Sequence, residues 1–131
     1  MTDPKAIVRD FLAASERGDR AVMDALLHPD FAVHEAPSLP YGGTHRGLQG
    51  YLQLVRTVFT AFRDTRVEVD SMLAENDTVI VLARLTGRSR QGDTPFVMHV
   101  NEVWRVAEGR IHSVTPYYYD TARLNQIVGS G

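Results

Sequence analysis

The chain has 131 residues, of which 44% are hydrophobic and 23% are charged, with a formal net charge of −2. These values are typical of one globular domain over residues 1–131, and they do not favour binding to nucleic acid or to an anionic membrane surface. The absence of cysteine excludes disulfides, thiolate catalysis and cysteine-bound metal clusters. The sequence also has no apolar run near the roughly 18 residues of a membrane span and no secretion-signal pattern. We therefore expect a cytoplasmic protein without a cofactor.

The first third of the sequence predicts two helices and a short strand. Apolar residues at helical spacing indicate a first helix, which is broken at Gly18-Asp19. A second, shorter amphipathic helix follows and ends near His28-Pro29, after which Phe31 to Glu35 form a short strand. The apolar stripes are Ile7, Val8, Phe11 and Leu12 in the first helix and Val22, Met23, Leu26 and Leu27 in the second.

A rigid turn and a long helix come next. Pro37, Pro40 and the pair Gly42-Gly43 bend the chain after the strand, and we expect them to hold the strand end rigid. From Gly47 onward the spacing of apolar residues predicts a long helix. These residues are Leu48, Tyr51, Leu52, Val55, Val58, Phe59 and Phe62.

The second half of the sequence changes to the alternation typical of β-strands. Four strands are predicted, at residues 66–71, 78–89, 95–106 and 111–120, and a final apolar turn follows. Consecutive strands joined by short turns indicate an antiparallel, strongly curved sheet with helices packed on one face. The predicted fold is a cone-shaped α+β barrel, in which the sheet wraps the long helix and encloses a pocket at its wide end.

Two glutamates lie in strand rows that are otherwise apolar. Because successive side chains of a strand point to opposite faces, Glu35 shares a face with Phe31 and Val33, while His34 lies on the other face. The row that contains Glu102 consists otherwise of Met98, Val100, Trp104 and Val106. Removing a carboxylate from water disfavours its charged form, so both positions need an explanation.

Two interpretations of these glutamates remain open. In the functional one, they form a pair of acids with raised pKa values, one a general base and the other a protonated hydrogen-bond donor or general acid. In the structural one, they lie at strand ends that are open to water, or they pair with an arginine such as Arg84 or Arg105.

The remaining polar candidates give weaker signals. Of the five histidines, no two have the H-x-x-x-H spacing of a helical metal site, and His34 and His99 lie on the faces opposite the glutamates, so we expect no metal site. Tyr118 points away from the side shared by its two neighbouring tyrosines. Trp104 is more typical of a core residue than of a substrate platform, although it can serve as both.

Five segments carry a pattern that extends over nearly the whole chain. They are "FLAASERGD", "HPDFAVHEAP", "GGTHRGLQGYLQLV", "NEVWRVAEGRIHSV" and "YYYDTARL". Together they resemble the nuclear-transport-factor-two-like superfamily, and most closely its SnoaL-like and ketosteroid-isomerase-like branch. That superfamily includes isomerases, polyketide cyclases, epoxide hydrolases, dehydratases and non-catalytic members, so the resemblance predicts the fold more sharply than the reaction.

The resemblance implies roles for individual residues. Glu35 takes the place of the aspartate that moves the proton in ketosteroid isomerases, and Glu102 takes that of the protonated aspartate in their oxyanion hole. Phe11 replaces the oxyanion tyrosine and offers no donor, which argues against steroid isomerisation, whereas Tyr118 offers a replacement hydroxyl. The residues expected to contact a substrate are Phe11, Val33, Tyr51, Val55, Val100 and Trp104.

The sequence therefore predicts a pocket for a small hydrophobic or polyketide-like molecule, in a homodimer formed through the exposed face of the sheet. If the protein is catalytic, we expect proton transfer next to a carbonyl, with Glu35 as base and with Glu102 and Tyr118 stabilising the enolate. The first alternative is a non-catalytic module that binds a ligand or another protein.

The second alternative is a hydrolase or dehydratase that uses water. It requires a polar cluster inside the pocket, for example His99, Asn101 and Asp120. Strand alternation places the first two on the outer face, which disfavours this alternative.

Overall fold

The computed structural model describes residues 3–129 as four helices and one curved six-stranded sheet. The elements are α1 (Pro4–Arg17), α2 (Arg20–Leu26), β1 (Leu27–Glu35), β2 (Gly43–Arg46), α3 (Gly47–Ala61), β3 (Phe62–Glu75), β4 (Thr78–Ser89), β5 (Pro95–Ala107), β6 (Arg110–Tyr118) and α4 (Thr121–Gly129). Residues 1, 2, 130 and 131 of the predicted domain lie outside this description. Within residues 3–129, no helix combines the length and the hydrophobicity needed to cross a membrane.

Aspartates define the starts of the first two helices. The carboxylate of Asp3 accepts a hydrogen bond from the backbone N–H of Lys5 at 3.0 Å, which satisfies a free donor of the first turn of α1. α1 ends at Gly18, whose φ of 73° is the left-handed conformation that favours glycine. Asp19 then caps α2 by accepting from the N–H of Val22 at 3.2 Å. The predicted break between the two helices is confirmed.

The strands of the sheet are ordered β2-β1-β6-β5-β4-β3. β3 to β6 form the predicted antiparallel meander. β1, however, pairs with β6 in parallel, so the expectation of a wholly antiparallel sheet is wrong for this pair. Parallel neighbours need a long crossover connection, and residues 36–109 provide it. The edge strands β2 and β3 do not pair with each other, so the sheet is curved but unclosed.

The segment around β1 and β2 departs from the predicted elements. β1 begins at Leu27, earlier than the predicted start at Phe31, and α2 ends correspondingly at Leu26. β2 is an additional strand, whose four residues G-T-H-R lack the apolar side chains that mark a strand in the sequence. β2 pairs antiparallel with β1 and sets Gly43 opposite Glu35. The proline- and glycine-rich turn is therefore the loop of a β-hairpin.

The core lies between the concave face of the sheet and helices α1 and α3. α3 directs Leu54 and Val58 towards it, and Phe11 of α1 and Trp104 of β5 are among its largest fully buried side chains. The strands contribute every second residue, as alternation requires. These are Val79, Val81, Ala83 and Leu85 in β4, and Met98, Val100, Trp104 and Val106 in β5.

Candidate functional site

A cavity of about 660 Å³ lies between α3, the end of α1 and the concave face of the sheet. This volume is in the range of small-molecule binding sites. Most of its wall is apolar, so a ligand that fills it must itself be largely apolar. The wall includes Val33, Leu54, Val55, Val58, Leu85 and Val100.

Glu35 and Glu102 both belong to the wall of this cavity. Glu35, at the end of β1, is only 6% exposed, whereas His34 is exposed on the other face of the strand. Glu102 is partly buried in the middle of β5, between the buried residues Val100 and Trp104. The alternation predicted from the sequence is thus confirmed for both strands.

Glu35 is held by a tyrosine of the neighbouring strand. The hydroxyl of Tyr118 donates to Oε1 of Glu35 at 3.1 Å and to Oε2 at 3.2 Å. Burial raises the pKa of Glu35 to about 7; the hydrogen bond from Tyr118 opposes this rise, the charge of Glu102 adds to it, and the backbone N–H of Ala36 opposes it. Near neutral pH, Glu35 is therefore divided between its protonated and ionised forms.

Glu102 has an indole as its partner. Nε1–H of the buried Trp104 donates to Oε1 of Glu102 at 3.2 Å. Burial raises the pKa of Glu102 to about 7, and the indole hydrogen bond opposes the rise. Because Trp104 is packed in the core, this contact also fixes the orientation of the carboxyl group.

The sheet register sets the two glutamates on either side of one residue of β6. Glu102 lies opposite Pro116 in the β5–β6 pair. Val33 lies opposite Val114 in the parallel β1–β6 pair. Glu35 is two residues further along β1 and therefore lies opposite Pro116, on the side of β6 away from β5. The backbones of strands two apart in a sheet are separated by roughly 10 Å. This separation leaves room for a small chemical group between two carboxyl groups that face the same cavity.

The loop between β1 and β2 fixes the end of β1. The N–H of Leu39 donates to the carbonyl of Ala36 at 3.1 Å, and the N–H of Gly42 donates to that of Leu39 at 2.9 Å. A Cβ at position 42 would collide with both of these carbonyl oxygens, so the loop needs glycine there. The structure thus agrees with the predicted rigid turn beside Glu35.

The sequence profile of the SnoaL-like domain matches residues 8–114. The chain belongs to the SnoaL-like domain family. Among solved structures, an NTF2-like protein from Burkholderia thailandensis E264 is similar to it with a TM-score of 0.84 and 31% sequence identity, over 97% of this chain and 98% of the other. The resemblance stated from the sequence is confirmed.

Two further structures with this fold come from proteins with named ligands or proposed activities. IdmH from Streptomyces antibioticus, proposed to be a polyketide cyclase, has a TM-score of 0.74 and 21% identity, over 95% of this chain and 98% of its own. TerC, co-crystallised with polyporic acid, has a TM-score of 0.80 and 18% identity, over 97% and 99% of the two chains. At these identities the likeness shows the fold alone. No curated protein sequence matches the chain significantly.

Five of the six residues predicted to contact a substrate line the cavity of this SnoaL-like domain. Phe11 does not, because α1 directs it into the core, where it is 0% exposed. Its ring lies 5.1 Å from that of Tyr51 and 5.7 Å from that of Trp104. Phe11 therefore supports the cavity wall from behind. The five residues that line the cavity are Val33, Tyr51, Val55, Val100 and Trp104.

Neither arginine considered as a partner for the glutamates is bound to them in the described structure. Arg84 lies on the outer side of the SnoaL-like sheet, where it donates to Asp70 at 2.8 Å and pairs with Glu68 at 3.1 Å. Arg105 donates to Oγ1 of Thr78 at 3.3 Å. Among the described contacts, the two glutamates are thus bound by neutral donors and are not neutralised by arginine.

Tyr41 is a polar group near the site that the sequence pattern does not indicate. It lies in the loop after β1, with its hydroxyl buried and, among the described residues, without a hydrogen-bond partner of normal geometry. Burial raises the pKa of Tyr41 to about 12, with Tyr118 and the charge of Glu35 as further influences. The pKa of Tyr118 is also raised, by burial and by the charge of Glu35. Both hydroxyls keep their protons near neutral pH.

The polar cluster needed by the water-using alternative does not form in the cavity. His99 and Asn101 are exposed on the outer face of β5, and Asp120 caps α4 by accepting from the N–H of Arg123 at 2.9 Å. None of the three predicted residues lines the cavity.

The rim of the cavity carries polar residues that the sequence pattern does not indicate. Arg66 and Glu68 border the cavity together with Val67 and Val69, so both faces of β3 contribute here. β3 is an edge strand, and the residues at the rim are exposed. Strict alternation assigns only one face of a strand to the interior, which is why the pattern misses this rim.

Proposed function

We propose that this SnoaL-like domain transfers a proton next to a carbonyl group of a small hydrophobic substrate. The observation that carries the proposal is that Glu35 and Glu102 share one apolar cavity and both have pKa values of about 7. Acids and bases with pKa values near the working pH are effective in catalysis. Repulsion between two nearby carboxylates also favours the state in which the pair holds a single proton, so a base and an acid are present together.

The hydrogen bonds divide the two roles. Glu35 receives the Tyr118 hydroxyl and the backbone N–H of Ala36, both of which stabilise its ionised form. Among the described residues, Glu102 receives only the indole N–H of Trp104. We therefore assign Glu35 as the general base that removes the proton, and Glu102 as the neutral acid that donates a hydrogen bond to the enolate oxygen.

The proposed role of Tyr118 differs from that expected from the sequence. Its hydroxyl hydrogen is directed at Glu35, so it is not directed at a substrate oxygen. We assign Tyr118 as a positioning residue, which orients the base and limits the rise of its pKa. When Glu35 becomes protonated, the hydroxyl can accept a hydrogen bond instead of donating one.

The substrate class follows from the wall of the cavity. A largely apolar molecule with one carbonyl fits this mainly apolar wall, in which Glu35 and Glu102 are shielded from water while the other two glutamates, Glu16 and Glu68, are exposed. The fold-level likeness to IdmH, proposed to be a polyketide cyclase, and to TerC, crystallised with polyporic acid, supports a carbonyl-rich cyclic compound. Cyclic ketones and 1,3-dicarbonyl compounds are therefore suitable test substrates.

Hydrogen–deuterium exchange at carbon tests the proposal directly. The protein is incubated in D₂O with a panel of such carbonyl compounds, and loss of the α-proton signals is followed by NMR. We expect exchange that depends on the protein and that falls at least about a hundredfold in Glu35→Gln, since the amide has the same shape but cannot take up the proton. Glu75→Gln, at an exposed position of β3, is the matched control and keeps the wild-type rate.

A non-catalytic ligand-binding module is the second candidate, favoured by the predominance of apolar wall. It predicts that the same compounds bind without any protein-dependent exchange. If exchange occurs at equal rates in the wild type and in Glu35→Gln, the assignment of Glu35 as the base is wrong.

We also propose that two chains pair through the convex face of the sheet. Leu73, Ile80 and Val103 form an apolar row across β3, β4 and β5, and Val97 of the same face is 58% exposed. An apolar surface of this kind is typical of a protein interface. Sedimentation of the wild type at twice the monomer mass, and of Ile80→Glu at the monomer mass, is the expected result.

A further inference from the structure

A cluster of two histidines and two carboxylates lies away from the cavity. His28 and Asp30 belong to the start of β1, His112 to the start of β6 and Glu108 to the β5–β6 turn. Glu35 is at the other end of β1, roughly 15–20 Å away at the rise of a β-strand. This histidine–carboxylate cluster plays no part in the proposed proton transfer, and its two pairs of residues lie in distant parts of the sequence.

The side chains of the cluster are close together. One ligand atom each of His28, Asp30 and His112 lies within 4.8 Å of the other two. The two imidazole rings are 4.9 Å apart, with an interplanar angle of 61°. Oε1 of Glu108 lies 3.7 Å from Nε2 of His28, and Oδ2 of Asp30 lies 3.9 Å from Nδ1 of the same ring.

An irregularity of the strand pairing brings these groups together. Leu27 lies opposite Ile111 and Ala32 lies opposite Ser113, so residues 28–31 of β1 together face the single residue His112. The bulge places both His28 and Asp30 beside His112. Within the bulge, the N–H of Asp30 donates to Nδ1 of His28 at 3.0 Å, so the ring is held in place.

We propose that His28, Asp30 and His112 bind a divalent first-row transition ion such as Zn²⁺. Imidazole nitrogen with carboxylate oxygen is a ligand set that suits zinc and its neighbours, whereas calcium and magnesium prefer oxygen ligands alone. Glu108 or a water molecule completes the four ligands of a tetrahedral site. Binding of the ion through either nitrogen of His28 ends the hydrogen bond from the N–H of Asp30, because the neutral ring has one unprotonated nitrogen and the ion takes it.

The geometry allows this closure. Ligand atoms on a tetrahedral zinc ion are roughly 3.3–3.5 Å apart, so the present spacing must shrink by about 1–1.5 Å. Asp30 and His112 are exposed, and the side chain of Glu108 is 87% exposed, so side-chain rotations suffice. Pro29 restrains the backbone of the bulge between the first two ligands. The bound ion would tie the start of β1 to β6 and to the β5–β6 turn.

Calorimetric titration of the untagged, chelator-treated protein with ZnCl₂ tests this site. We expect one ion per chain, with affinity reduced at least tenfold in His112→Ala and in Asp30→Asn. The matched control is His34→Ala, which removes an exposed histidine of the same strand outside the cluster, and it should bind zinc like the wild type. Titration with MgCl₂ should give no binding at comparable concentrations.

Histidine side-chain NMR identifies the ligands independently. Zinc should shift the ring resonances of His28 and His112 and leave those of His34 and His99 in place, and circular dichroism checks that each variant is folded. Equal zinc affinity in the wild type, His112→Ala and Asp30→Asn would overturn the proposal, as would magnesium binding as tight as that of zinc. The absence of any zinc binding by the wild type would overturn it as well.

Discussion

Glu35 and Tyr118 are the last residues of two neighbouring parallel strands, and the Tyr118 hydroxyl donates to both oxygens of the Glu35 carboxylate. Because parallel strands end at the same edge of a sheet, the backbone alone brings the two side chains to the cavity. The contact opposes the effect of burial, and the net pKa of this carboxyl group is raised to about 7. The tyrosine therefore controls how much of the proposed base is ionised at neutral pH.

Tyr118→Phe should shift the pH dependence of exchange without abolishing it. Loss of the donor removes a contact that favours the ionised form, so the pKa of Glu35 rises. We expect the increase of the exchange rate with pH to occur about one pH unit higher than in the wild type, so the rate at pH 6 should be about tenfold lower. Tyr117→Phe, at a position 61% exposed on the other side of β6, is the control. An unchanged pH profile in Tyr118→Phe would refute the positioning role.

Glu102→Gln should remove one limb of a bell-shaped pH profile. The wild-type rate depends on Glu35 being ionised and on Glu102 being protonated, so it should peak near pH 7. Glutamine still donates from its amide but does not titrate, so the decline at high pH should disappear. The remaining rise should also shift to lower pH, because the charge that raises the pKa of Glu35 is gone. Rates at saturating substrate from pH 5 to 9 provide the measurement.

Glu35→Gln should be more stable than the wild type above neutral pH. Burial raises the pKa of Glu35 from 4.5 to about 7, so the folded state holds this proton more tightly than the unfolded state. The contribution of Glu35 to the free energy of unfolding is fully present below pH 4.5. It is lost as the pH rises through 7, and the loss is on the order of 3 kcal/mol. Urea unfolding should show equal stability of the two proteins at pH 4 and a more stable variant at pH 8. Glu75→Gln should show no such pH-dependent difference.

Gly42→Ala should destabilise the protein more than a substitution at a glycine that merely has positive φ. The added Cβ would meet the backbone carbonyls of Ala36 and Leu39, which cannot move without opening the hairpin loop. We expect a loss of about 3 kcal/mol or more. Gly18→Ala, where φ is 73° and no atom lies within 4 Å of the new Cβ, should cost only about 1–2 kcal/mol. Similar midpoints for the two variants in thermal unfolding would contradict this explanation.

Local patterns predict most of the fold because they follow from periodicity. The helices around Phe11 and Val58 and strands β4 and β5 show apolar spacings that match their buried faces, whereas the valines that alternate in β3 are exposed. β2 is not predicted because its four residues, G-T-H-R, include no apolar side chain and no buried position that would mark a strand. The parallel pairing of β1 with β6 escapes as well, since strand direction depends on the long crossover and not on any local pattern.

Part of the candidate site can also be predicted from the periodicity of the sequence. Alternation along the strands places Glu35 and Glu102 in the cavity wall, and it places His34 and His99 on the opposite faces of the same strands. It does not reveal that Phe11 lies behind the wall, because periodicity identifies a buried face without distinguishing core from cavity. The hydrogen bond between Glu35 and Tyr118 also depends on a contact between distant segments, which a single sequence does not display.

The crossover between β1 and β6 also has a consequence for how the protein folds. The meander consists of hairpins whose partners are close in the chain, whereas β1 and β6 meet only when the long segment between them has closed. Closing such a loop costs entropy that local contacts do not repay, and contacts of this kind form late. We therefore expect the proposed base and its tyrosine to meet late in folding. Activity from this pair would report complete folding of the chain, and a fragment that lacks either terminal segment should have none.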